Sequence, residues 1–177
     1  MADRFQFFYR SADKRPGLGV GERAVGAYPI LERTPHWRRV LSSLNCDCPF
    51  VHEGVTYRSV EHALQGAKFM QWYPEVAREF SVESGHPIGI GDGLGAMRAR
   101  KRVMLSPAQL ADWEARRHET KVRIYLSKFG PPGIAHDILL GTGSAELWSA
   151  GPRIATLRAT TLEDIRTILL APLIPRG

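Results

Sequence analysis

Little in this chain is suited to covalent or metal scaffolding. It has only two cysteines, Cys46 and Cys48, one residue apart. A pair that close is poorly placed for a structural disulfide and closes no useful loop. The two read as reduced thiols, which points to a cytoplasmic protein. The six histidines, at positions 36, 52, 62, 86, 118 and 136, show no metal-ligand spacing. His118-Glu119 lacks the second histidine of a zincin helix, so neither a metal nor a cofactor is expected. There is no P-loop and no G-x-S-x-G elbow. Gly89, Gly91, Gly93 and Gly95 alternate, but no clear strand precedes them and no acidic partner follows at dinucleotide-site distance. No apolar run approaches the length of a membrane span. Met1-Ala2-Asp3-Arg4 leads directly into a short aromatic run, without the pattern of a signal peptide. Internal repeats and low-complexity tracts are also lacking.

What is present suits one domain over 1–177 with a sizeable core: 177 residues, 44% of them hydrophobic. The formal net charge of +6, much of it arginine, favours anionic partners such as nucleotides, nucleic acid or phosphates. A basic run, Arg98-Ala99-Arg100-Lys101-Arg102, is a candidate for phosphate or nucleic-acid backbone contact.

Punctuation along the chain predicts mostly helices. Phe5–Tyr9 is a strand candidate, residues 10–22 a basic, glycine-containing loop, and Val25–Leu31 a second, irregular strand. Pro49–Tyr57 reads as a hairpin turned at Glu53-Gly54. Pro74 opens a short helix to Phe80, and residues 85–95 read as a flexible loop. Ser106, Pro107 and Gln109 signal a capped helix with Leu110, Trp113, Thr120 and Ile124 inward, a stripe that Arg117 interrupts. Arg116, Lys121, Arg123 and Lys128 are left for its polar faces. Ile134–Leu140 is a further helix, and Thr160 with Glu163 suggests a capping box opening a last one through Leu170. Few, short and mainly early strands among many helices predict an α+β fold, compact and mainly helical, with a small sheet.

The chemistry concentrates in one stretch, Tyr57-Arg58-Ser59-Val60-Glu61-His62-Ala63-Leu64-Gln65-Gly66-Ala67-Lys68-Phe69. Ser59 is a suitable N-cap. Val60, Ala63, Leu64 and Ala67 make an apolar stripe at helical spacing. Glu61, Gln65, Lys68 and Trp72 make a second stripe about a quarter-turn away. An aligned carboxylate, amide, ammonium and indole can all face one cleft. The helix N-terminus favours an ionised Glu61. A partly desolvated lysine near other cations titrates low enough to act as a nucleophile.

The run Gly54–Phe69 resembles the signature of the NADAR superfamily, also called YbiA-like proteins: a hairpin ending in G-x-x-Y, then S-V-E-H, then Q-x-x-K-F. A weaker resemblance continues through Trp113, Lys128-Phe129 and Leu140–Leu147, so the similar part is a core of about 41–172 behind a variable 1–40. The resemblance implies a compact, mainly helical architecture and an N-glycosidase that breaks a base–ribose bond at C1. Carried over by position, Glu61 is the acid/base or electrostatic residue and Lys68 the amine that forms a transient imine with ring-opened ribose. The implied substrates are ADP-ribose on a modified guanine or phosphorylated intermediates of riboflavin synthesis. The basic surface leans towards the former.

Ser43 and Asn45 fall in the segment that family members place beside the ligand, although Ser43 stands at the usual asparagine position and Leu44 at the usual aromatic one. His62, Gln65 and Trp72 complete the expected binding set on the signature helix. Near the C-terminus the family's W-G-x-G-like segment is replaced by Leu147–Arg153, expected to run almost directly into the last helix. There Trp148 is a candidate stacking group and Arg153 a candidate phosphate contact. The departures keep open an alternative: a non-catalytic binder of ADP-ribose, NAD or nucleic acid.

Overall fold

The computed structural model describes residues 2–151 and 154–171. The fold is α+β, as expected. The chain forms two compact units, one from residues 1–41 with 132–177, the other from residues 42–131.

The first unit holds a three-stranded sheet. Strand β1 (Arg4–Phe7) runs parallel to β4 (Glu146–Gly151), pairing Phe5 with Leu147, and β4 pairs antiparallel with β5 (Ile154–Arg158). Its helices are α1 (Pro29–Arg33), α2 (Trp37–Val40), α7 (Ile134–Gly141) and α8 (Thr160–Leu170). The core gathers Phe5, Leu31, Trp37, Ile138, Leu139, Leu147, Leu162 and Ile165. Tyr28 and Trp37 both meet Phe5 edge-on, at ring-centroid distances of 4.8 and 5.2 Å.

Three expectations change here. The segment around Pro29 is helical rather than a strand, because proline sits at the first helical position with φ already set. Residues 146–151 and 154–158 form β4 and β5 rather than leading almost directly into the last helix. Thr160 and Glu163 form no capping box: the N-cap is Ala159, with no side-chain cap. Glu163 instead accepts from the Leu147 amide at 2.8 Å and from Arg158.

The 10–22 loop is held from inside. The Glu22 carboxylate, fully buried, accepts from Arg38 at 2.7 and 2.6 Å and from the amides of Gln6, Gly17 and Gly19. Arg38 also donates to the carbonyls of Lys14 and Arg15. A buried ion pair is tolerated only when such extra bonds satisfy both partners.

The second unit carries the Gly54–Phe69 run. Strands β2 (Phe50–His52) and β3 (Val55–Tyr57) form the expected hairpin. Its turn places Glu53 at φ 51° and Gly54 at φ 80°, the left-handed pair that two-residue hairpins require. Helix α3 (Val60–Met70) follows, with α4 (Pro74–Arg78), α5 (Gly93–Arg98), a 3-10 turn at Ala99–Lys101, and the long α6 (Pro107–Phe129). The capping box at Ser106 and Gln109 is present, with the Ser106 amide donating to Gln109 Oε1 at 2.8 Å.

Leu110, expected inward, is exposed. Lys128, expected on a polar face, is buried, and burial pushes its amine down to about 8. The glycine-dense region is not all loop: Asp92 caps α5 by accepting from the Gly95 amide at 2.6 Å. A Cβ at Gly93 would stand 2.3 Å from the Leu44 carbonyl oxygen, so glycine lets α5 start against the 42–45 segment.

Candidate active site

The signature helix starts where the sequence places it, and its first turn is tied down on three sides. Ser59 Oγ accepts from the His62 amide and lies 2.7 Å from His62 Nδ1. His62 Nε2 lies 3.0 Å from the Ile88 carbonyl oxygen. A carbonyl can only accept, so Nε2 carries the proton and Nδ1 accepts from the Ser59 hydroxyl. Burial holds the imidazole below its ordinary range, which keeps this neutral tautomer. His62 is wholly buried with both ring nitrogens engaged. It positions the helix and fastens the 85–91 loop, and offers no nitrogen to a substrate. Arg58 grips the same loop through the carbonyls of Ile90 and Gly91.

The Glu61 amide, one of the free donors of the first turn, donates to the Ser43 carbonyl at 3.0 Å. Ser43 therefore orients Glu61 through its backbone. Asn45 spends its amide on its own turn, with Nδ2 2.7 Å from Asp47 Oδ2 and Oδ1 accepting from the Asp47 amide. Both residues frame the helix start.

Glu61, Gln65 and Lys68 follow on one face of α3. Gln65 Nε2 donates to Glu61 Oε1 at 2.8 Å. Gln65 is 8% exposed, and the other end of its amide, Oε1, is buried without a partner. Glu61 is half-buried, and desolvation raises its carboxyl above the ordinary range; the Gln65 bond and the charges of Arg117, Arg100 and Lys121 pull the other way. The helix end favours ionisation, as the sequence suggests, but desolvation opposes it and the net shift is upward. Lys68 behaves as expected. Desolvation lowers its amine, Arg100 and Arg117 add to that, and Glu114 opposes it. Its Nζ donates to the Arg100 carbonyl at 3.0 Å.

Facing these groups is a set of residues that sequence reasoning missed. Helix α6 packs against α3, bringing Arg117, Lys121 and Tyr125 towards Glu61. The three lie four residues apart and so share one face of α6. Glu114, a turn before Arg117, is felt by Lys68, so the two helices run antiparallel. The available signal was Arg117, the polar break in an otherwise inward stripe. The 3-10 turn brings Arg100 to the same place.

Trp72 is half-buried, and its ring lies 5.3 Å from the Arg116 guanidinium, which is also 5.1 Å from the Trp113 ring. A cation thus already occupies part of the surface expected to stack on a base. Trp148 belongs to the first unit, where its Nε1 donates to Glu146 at 3.1 Å and Arg4 lies 4.1 Å over its ring. Arg153 lies outside the described residues. Cys46 and Cys48 are free, and burial pushes both thiols up. Among the described residues no helix is long and apolar enough to cross a membrane.

Comparison with protein-family models, curated proteins and solved structures returns no match to this chain.

Proposed function

We propose that this protein is a NADAR-type N-glycosidase that hydrolyses a base–ribose bond, with Glu61 and Lys68 as its catalytic residues. The supporting observation is the pair itself. Burial raises the acid and lowers the amine on one face of one helix. Groups whose environments shift their proton affinities in this way are suited to acid–base and nucleophilic work near neutrality.

The proposed chemistry consumes one water. The C1–N bond breaks with its electron pair leaving on the base, while the ring oxygen shares the positive charge that develops at C1. Glu61 supplies a proton to the departing base when protonated, or steadies the cationic sugar when ionised. Water adds at C1 and yields the free sugar. The Lys68 amine, when neutral, condenses with the C1 aldehyde of the open-chain sugar to give an imine and water; hydrolysis of the imine restores both.

ADP-ribose attached to guanine is the first substrate to test and phosphorylated riboflavin-pathway intermediates the second. Action in the cytoplasm is part of the proposal, consistent with two free thiols. Purified protein incubated with both substrates should release free base from one of them. Glu61→Gln should abolish that release while the circular dichroism spectrum stays that of the wild type, and borohydride should trap a sugar on Lys68. Full activity in Glu61→Gln removes the role assigned to it.

A second reading, a non-catalytic binder, is favoured by Asn45, whose amide is committed to its own turn beside Ser43 and Leu44. Tight binding of ADP-ribose with no release of base from either substrate decides for it.

A further inference from the structure

The carboxylate at the centre of the site is outnumbered. Arg100, Arg117 and Lys121 act on Glu61, and Arg100 and Arg117 act on Lys68 as well. Against these four cations stand Glu61 itself and Glu114. Glu114 meets Arg117 at 3.3 Å in a pair whose side chains are 52% and 54% exposed. An exposed pair of that kind holds its arginine weakly, so Arg117 remains available to a ligand. Among the described residues no carboxylate closes on Lys121 or Arg100 to ion-pair distance. The Lys121 Nζ lies 5.6 Å from the centre of the Tyr125 ring, and both residues act on Glu61.

A second observation is independent of charge. Gln65 is more than nine-tenths buried, and its Oε1 has no donor. A buried acceptor left open is costly. Its Nε2 is fixed on Glu61, so the amide cannot turn round to relieve it without setting oxygen against oxygen. The site therefore lacks two things: negative charge opposite α6 and a hydrogen-bond donor beside Glu61. A phosphorylated polyol supplies both, with phosphate oxygens for the cations and a hydroxyl hydrogen for Gln65.

We propose that Arg117 and Lys121 are the specificity-determining residues of this site, binding the phosphate of a sugar-phosphate ligand while Gln65 Oε1 accepts from one of its hydroxyls. The assignment rests on the functional reading above for the location of the sugar, but not on turnover. It places phosphate recognition on the middle of α6, on two residues that the sequence did not mark for phosphate. Arg117 offers a planar fork to two phosphate oxygens, and Lys121 a compact charge beside it.

The test is a binding titration of the full chain with ribose 5-phosphate, followed by NMR. It compares wild type, Arg117→Gln, Lys121→Gln and, as a control on the exposed basic run, Lys101→Gln. Each of the first two variants should weaken binding about tenfold or more, the loss expected for a charge-assisted contact, and the control should bind as wild type. Equal weakening in all three would show diffuse surface attraction and overturn the assignment, as would unchanged affinity in Arg117→Gln and Lys121→Gln or no binding by wild type. Turnover of the base–ribose substrates, assayed separately, keeps the two readings apart. Selective loss of binding without turnover in wild type removes the glycosidase and leaves the phosphate site. Turnover with unchanged affinity in both variants does the reverse.

Discussion

Replacing Gln65 by leucine isolates the bond that steadies Glu61. Gln65 contributes two opposing effects. Its Nε2 donates to Glu61 at 2.8 Å, and its buried Oε1 has no partner. A hydrogen bond to a charged group contributes about 1.5–3 kcal/mol, one to a neutral group about 0.5–1.5, and an unsatisfied buried acceptor costs about 1–3. Leucine removes all of these together, so the change at any one pH is a small difference of large quantities. The difference between two pH values is cleaner, because the orphan oxygen does not titrate.

Near neutrality, with Glu61 ionised, the variant loses the stronger bond; in acid, with Glu61 protonated, it loses the weaker one. Gln65→Leu should therefore be more destabilising near neutrality than in acid by about 1–1.5 kcal/mol. The direction follows from the Gln65 bond, which pulls the carboxyl down against the desolvation that raises it. A group held above its unfolded value contributes stability in full below that value and loses it as pH rises through the folded one, and removing the stabilising donor deepens that loss. Paired urea titrations of wild type and variant, at both pH values, measure it. Equal destabilisation at both would mean that Gln65 does not hold an ionised Glu61, and the electrostatic account of the site would fail.

Other perturbations probe other parts of the chain. Arg38→Met should destabilise the first unit by about 3–5 kcal/mol in urea titration, since it strands the buried Glu22 charge; adding Glu22→Gln should recover part of this, and no recovery refutes the ion-pair account. His62→Leu leaves the Ile88 carbonyl and the Ser59 hydroxyl without the imidazole, at about 2–4 kcal/mol. Because burial depresses His62, its contribution is present above the unfolded imidazole value and lost as pH falls, so the penalty should shrink in mild acid; a penalty that grows there contradicts the neutral tautomer. Lys68, with its lowered amine, should acylate faster near neutrality than exposed Lys101, read by mass-spectrometric peptide mapping; equal rates count against a nucleophilic amine.

What the sequence disclosed was local. The Ser59 cap, the Ser106–Gln109 box, Pro74 at a helix start and the Glu53-Gly54 turn each act within four residues and were all legible. Errors arose where a distant partner decides the outcome. Nothing near Leu147 announces that β4 will run parallel to β1, a pairing across more than half the chain. Val25–Leu31 has strand-like residues, but proline fits a helix start better than a ladder. The same division holds in the site. The Glu61–Gln65–Lys68 face was legible as helical spacing, whereas Arg117 and Lys121 belong to it only because α6 packs antiparallel on α3. The engagement of His62 was not legible either, because its partner Ile88 lies 26 residues away.

The two helices also explain why Glu61 departs from the behaviour of a carboxylate at a helix start. In an exposed helix the first-turn amides point to water and their partial charge favours an anion. Here the Glu61 amide is committed to Ser43, and Ser59 takes that of His62, so part of that field is already answered by oxygen. What draws Glu61 back towards ionisation is instead the side-chain amide of Gln65 and the cations that α6 and the 3-10 turn bring across the site. The acid on α3 is thus tuned from both helices, by Gln65 on its own and by the cations that α6 brings to it. A ligand whose phosphate occupied Arg117 and Lys121 would neutralise those cations, and Glu61 would hold its proton more tightly once the site was filled. Ligand binding and arming of the general acid would then be one electrostatic event.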